Sequence, residues 1–150
     1  MVGLNFDIML KRALSYSILF LLLAACSSPE LEKFYTFPDN TWKRFENPVI
    51  NMEISQPGIF YDLFVEVRYD NTLTLKPIPI SIITSTPDGE VRSRTMSLKF
   101  NENNGTIKLI LGKDFAFSEA GNCSFEFENR SQDIETHGLI KIVVVIDKIN

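Results

Sequence analysis

Cys26 is the residue whose neighbours define a reaction. It follows Leu23-Ala24-Ala25 and precedes Ser27-Ser28-Pro29. Small residues running directly into a cysteine form the pattern of a bacterial lipobox. There the thiol receives a diacylglyceryl group, the chain is cut before the cysteine, and the new amine is acylated, with palmitate a typical acyl chain. The upstream sequence fits. Lys11 and Arg12 make a positive segment, and Ala13 to Ala25 carry no charge. As a helix this run spans about 20 Å, short of the ~30 Å apolar core of a bilayer. That length suits a signal peptide rather than a span. Met9-Leu10-Lys11-Arg12 makes a more usual start than Met1, which places Asp7 ahead of the positive pair; Met1 and Met9 are alternative initiators. Several acyl chains on one residue anchor durably where one chain binds only marginally. The expected association is with a membrane through lipid on Cys26.

The remaining reactive residue types do not assemble into a reaction centre. His137 is the single histidine, and a lone loop histidine reads as a surface or capping residue. No His/Cys set has zinc spacing, no alternating acids form a calcium loop, and no glycine-rich phosphate loop or nucleophile elbow occurs. Asp62, Glu66 and Arg68 alternate along one strand face, as do Glu126 and Glu128, and read as solvated faces with cross-strand ion pairs. The expectation is a protein that is not an enzyme, with no catalytic residues, no metal and no cofactor. With Cys26 carrying lipid, Cys123 is left alone, so no intramolecular disulfide can form; burial would protect it from oxidation. Trp42, the only tryptophan, reads either as an exposed anchor for a partner or as a core plug, with the core reading preferred.

Charge narrows the partners. The chain has 15 Lys+Arg and 19 Asp+Glu, a net charge of −4. Removing residues 1–25 takes away Lys11, Arg12 and Asp7, which leaves the remainder one unit more acidic. Such a body is unsuited to phosphate backbones, and nucleic acid is excluded as a partner.

The elements that position these residues are strands. Ile50, Met52 and Ile54 alternate with polar residues, and so do Leu63, Val65, Val67 and Tyr69 within Ile59–Asp70. Phe64 falls on the polar face and needs a neighbour to cover it. Ile78–Thr84 is a further strand, with Pro79 marking an edge or a strand start. Pro87-Asp88-Gly89 is a turn leading into Glu90–Phe100. Thr106–Leu111 follows, then Cys123, Phe125 and Phe127 on one face, a polar loop over Arg130–Thr136, and a closing strand from Gly138. That last strand is apolar and β-branched on both faces, which marks it as central. About eight short strands without an amphipathic helix give an all-β, antiparallel β-sandwich, immunoglobulin-like or jelly-roll. The expected division is a lipoprotein signal peptide over 1–25, lipidated Cys26 and a short tether over 26–33, and one sandwich domain over 34–150.

The ordered set of Phe37-Pro38-Asp39-Asn40-Thr41-Trp42, Tyr61–Arg68, Pro87-Asp88-Gly89, Phe117–Phe125 and Gly138-Leu139-Ile140, behind a lipobox, resembles the gliding-motility lipoprotein GldH family. The resemblance spans nearly all of the chain after Cys26. It implies a lipid-anchored component of the bacterial cell envelope, in the outer membrane in preference to the inner. It further implies a part in gliding and the associated protein secretion, with no catalytic residues to carry over. The expected role is a non-catalytic module that binds an envelope protein, by strand addition at an exposed edge. Ile78 and Ile80 are the candidate edge and Trp42 a further candidate contact. The competing reading is a surface carbohydrate-binding or glycan-processing lipoprotein that uses exposed Trp42, Tyr35 and Tyr61.

Overall fold

The computed structural model describes residues 31–101 and 105–149. The signal segment 1–25, Cys26 and the tether as far as Glu30 lie outside the described residues. The strands are β1 (Leu31–Thr36), β2 (Thr41–Lys43), β3 (Val49–Ile54), β4 (Phe60–Tyr69), β5 (Ile78–Ser85), β6 (Val91–Leu98), β7 (Gly105–Ala116), β8 (Gly121–Asn129), β9 (Glu135–His137) and β10 (Leu139–Lys148). They form two antiparallel four-stranded sheets, β1-β10-β4-β7 and β3-β8-β5-β6, and a short ribbon of β2 and β9. The expected antiparallel sandwich is thus observed. Of its two expected topologies, the strand order is that of the jelly roll. Among the eight long strands the chain crosses between sheets at every connection except β5 to β6, where Pro87-Asp88-Gly89 makes a hairpin turn.

Alternating side chains explain the layers. Tyr61, Leu63, Val65, Val67 and Tyr69 of β4 point inward, against Ile50, Met52 and Ile54 of β3 and Cys123, Phe125 and Phe127 of β8 in the opposite sheet. Burial of each large apolar side chain contributes about 1.5–3 kcal/mol. β10 differs: Ile142, Val144 and Ile146 join the core, while Val143 and Val145 are buried on its other face. It sits between β1 and β4, pairing Leu31 to Ile146 on one side and Leu63 to Ile146 on the other, the central place its pattern predicts. Phe64, half-buried on the outer face, is covered by Lys108, whose Nζ lies 3.9 Å from the ring centroid.

Four expectations are revised. Among the described residues β1 starts at Leu31, so residues 31–33 belong to a strand rather than to the tether. β7 runs on through Gly112, which the half-apolar pattern of Lys113–Ala116 disguised. The polar stretch 130–136 ends in a strand, β9, which pairs with β2. And Ile78–Ile80 is not an edge. β5 lies between β8 and β6, with Ile78 and Ile80 buried. Pro79 marks the strand start instead, ahead of the first β8 pair at Ile80–Asn129, where a missing N–H is tolerated.

Cys123 is fully buried between the two sheets, and burial pushes its thiol up to about 12. Since the thiolate is the reactive form, the native lipidated protein should label with a thiol reagent at mildly alkaline pH only as fast as the domain opens. Rapid stoichiometric labelling without denaturant would contradict this placement.

Candidate partner-binding site

The sandwich has two ends, and one carries a cleft. β1 starts and β10 finishes at the first end. At the other, the segment after β4 and the segment after β8 frame a depression of about 480 Å³. One wall runs from Thr72 to Pro79 and the other from Arg130 to His137.

Hydrogen bonds hold both walls. Asp70 accepts from the Thr72 amide at 2.8 Å and from its hydroxyl, and from Asn40 Nδ2 at 2.9 Å. These bonds, the Thr72 hydroxyl's foremost, hold its carboxyl below the usual range. The second wall is tied down by buried Asn129, which donates to Thr136 Oγ1 at 3.2 Å and accepts from the Ser131 amide at 2.9 Å. The walls meet where the Arg130 amide donates to the Pro79 carbonyl at 2.9 Å. Arg130 Nε also donates to Ser81 Oγ at 3.2 Å and lies 3.5 Å from Glu128. His137 shares a 2.9 Å hydrogen bond between Nδ1 and Thr41 Oγ1, and its Nε2 is 3.9 Å from Glu135.

Gly138 fastens this end. Its φ is +90°, and an added Cβ would lie 2.4 Å from the Leu73 amide nitrogen. Its N–H donates to the Asn40 carbonyl at 2.8 Å and its carbonyl accepts from the Asp70 amide at 2.9 Å. Three segments meet on one residue without a side chain.

The cleft presents Lys76 and Arg130 beside Asp133 and Glu135, with hydroxyls and backbone between them. That surface suits a polar protein patch carrying both signs of charge. It does not arrange a nucleophile, base and orienting group in sequence. Among the described residues, no group of three or more His, Cys, Asp or Glu could hold a metal ion.

Of the residues proposed as contacts from the sequence, Trp42 and Ile80 do not line the cleft, and Ile78 does so as a buried residue. Trp42 is fully buried, stacked on Phe37 at 5.1 Å, with its Nε1 donating to the Glu46 carbonyl at 2.8 Å. It is the core plug. Ile78 and Ile80 are buried in the core, and Ile78 and Pro79 at the start of β5 line the cleft. Of the aromatic trio proposed for sugar, Trp42 and Tyr61 are buried, and Tyr35 is half-buried with its hydroxyl donating to Glu46 at 3.0 Å. They form no exposed platform. Sequence reading missed Lys76 and Arg130, because their spacing of more than fifty residues has no local signature. Gly138 beside the lone histidine was the one visible cue.

The fold and cleft define a small jelly-roll β-sandwich with a polar binding-type depression at one end. A family model described as GldH lipoprotein matches residues 30–144. The chain belongs to the GldH lipoprotein family, which is not a known enzyme family, and membership supports a lipid-anchored place in the cell envelope. No curated protein matches the chain. Similar solved structures include the infectious bursal disease virus Gx strain, at 11% identity and TM-score 0.43, over 82% of this chain and 34% of that one. Dimeric latent PorU from Porphyromonas gingivalis is similar at 9% identity and TM-score 0.39, over 81% of this chain and 14% of that one. The chain therefore spans a minor part of each, and scores this low bear on neither fold nor function.

Gly138→Ala should destabilise the domain by about 2–4 kcal/mol, from strain at positive φ and collision with backbone. Gly89→Ala, at φ +86° with open space around it, should cost only about 1 kcal/mol. Equal losses in denaturant titrations of the two variants would contradict the close approach to Leu73.

Proposed function

We propose that this protein is a lipid-anchored, non-catalytic envelope lipoprotein of the gliding-motility and secretion class that holds a protein partner at the membrane-distal end of its sandwich. The signal peptide 1–25 is removed, Cys26 carries the acyl chains, and residues 27–30 are the tether. The outer membrane is its site. One observation carries the reading: the cleft lies at the end of the domain opposite the start of β1. Four residues lie between Cys26 and Leu31, and the five residue steps that join them extend at most about 17 Å. The end holding Leu31 therefore stays close to the bilayer. Ten residues of β10 lift the cleft about 33 Å further out, where an envelope protein can reach it. A short tether also limits tilting, so the cleft is presented in a restricted orientation, which lowers the ordering cost of binding.

The test is fractionation and mild-detergent recovery of the tagged full chain from its own envelope. The parent protein should sediment with membranes and bring a partner with it. Cys26→Ala should fold and appear in the soluble fraction; sedimentation after a high-salt wash would overturn the anchoring. Lys76→Glu combined with Arg130→Glu should stay on the membrane and recover about tenfold less partner. Undiminished recovery would overturn the cleft as the contact, and the same variant should impair gliding and secretion in cells.

A further inference from the structure

The two sheets close against each other along one side and not along the other. On the closed side β1 packs on β3, and Tyr35 reaches across to Glu46. On the other side β6 and β7 are both edge strands, each with a single strand neighbour among the described residues. No residue of β7 is fully buried along its whole length. In β6, Val91 to Thr95 are exposed on both faces. Five of the eight partly buried side chains packed against the core gather here: Met96, Ile107, Leu109, Leu111 and Phe115. Between the sheets lies a small gap of about 70 Å³ above Leu63 and Ile82.

Two cations guard this gap. Arg92 lies over the Phe115 ring at 5.0 Å and is neutralised by a bidentate pair with Glu90 at 2.7 and 2.8 Å. Arg94 has no such partner among the described residues. Its guanidinium donates to the carbonyls of Leu111 at 2.7 Å and Ile110 at 3.5 Å, both on β7, and has no carboxylate within ion-pair distance among the described residues. An arginine thus reaches two adjacent carbonyls of a strand whose outer edge has no strand against it among the described residues. In an acidic protein, this unpaired cation is set beside half-covered apolar side chains.

These features specify an occupant. A free edge of alternating N–H and C=O groups is satisfied by an extended strand. Half-covered side chains at alternate positions of β7 call for apolar residues at alternate positions of that strand. Arg94, with Lys108 and Lys113 on β7 itself, calls for carboxylates between them. A second copy of this chain fits less well, because its β7 carries Lys108 and Lys113 against the single Asp114 and so brings net positive charge to the same cations. We propose that the β7 edge accepts an extended acidic strand from a partner protein, apolar at alternate positions, with one carboxylate drawing Arg94 from the Leu111 carbonyl. This site is separate from the distal cleft and does not depend on what fills it.

The probes are two synthetic peptides of about ten residues, enough to span most of the edge, one alternating valine with glutamate and the other valine with lysine. Binding is followed by fluorescence anisotropy on the full lipidated chain in detergent. The glutamate peptide should bind and the lysine peptide should not. Arg94→Glu should weaken the glutamate peptide about tenfold and admit the lysine peptide. Lys76→Glu with Arg130→Glu should leave both results unchanged, which separates this site from the cleft. A photocrosslinker at Ile110 should capture the peptide, and one at Asn51 on the β3 edge should not. Equal binding of both peptides, capture at Asn51 alone, or dimerisation of the protein that Arg94→Glu abolishes would overturn the proposal.

Discussion

The structure depends on β10 being sealed on both faces. Its core-facing Ile142, Val144 and Ile146 hold the two sheets together, while Val143 and Val145 are buried on the outer face between β1 and β4. A β-branched strand suits this place, because each side chain packs on both flanking strands. β10 is also the last strand of the chain, and β1 is the first. β1, the first described strand, is therefore held in its sheet by β10, the last one. The sheet is completed only when its most distant segments in sequence meet, a high-contact-order arrangement that slows folding. Pull on the anchor is transmitted to the domain through the ladder from Leu31–Ile146 to Thr36–Lys141.

From that strand outward the molecule is asymmetric in two directions. Along the strands, one end holds the start of β1 and the other carries the polar cleft, fastened at Gly138, which directly precedes β10. Across the strands, the β1 and β3 side is closed and the β6 and β7 side is left open. A jelly roll need not be closed at both sides, and its open side is normally blunted by charge. Here the blunting is incomplete: Arg94 reaches the carbonyls of Ile110 and Leu111, and the outer edge of β7 has no strand against it among the described residues. The β5–β6 turn is latched when Asp88 accepts from Thr86 and Ser118, bonds that hold its carboxyl down to about 2. That carboxylate stays ionised, and the latch closed, at all but strongly acidic pH.

Most of the fold was legible because its strands obey period two. The alternation in β3, β4 and β8 marked the inward residues, and the doubly apolar run from Leu139 marked the central strand. What failed did so for identifiable reasons. Pro79 signals either an edge or a strand start, and sequence cannot choose between them. β6 held the better edge signal, since Val91-Arg92-Ser93-Arg94-Thr95 has no apolar face at all. β9 is too short for periodicity to register. The cleft was invisible because Lys76 and Arg130 are brought together by tertiary pairing through Pro79 and Arg130, not by spacing. The lipobox is the opposite case, a local chemical signature that needs no fold to be read.

Native-state hydrogen exchange on the lipidated protein tests the role of β10 most directly. The account predicts that the amides of β10, and those of β1 and β4 bonded to it, exchange slowest and together, only through global unfolding, while the outward amides of β7 exchange far faster. Exchange of β1 through a separate, low-energy opening that leaves β10 protected would contradict it.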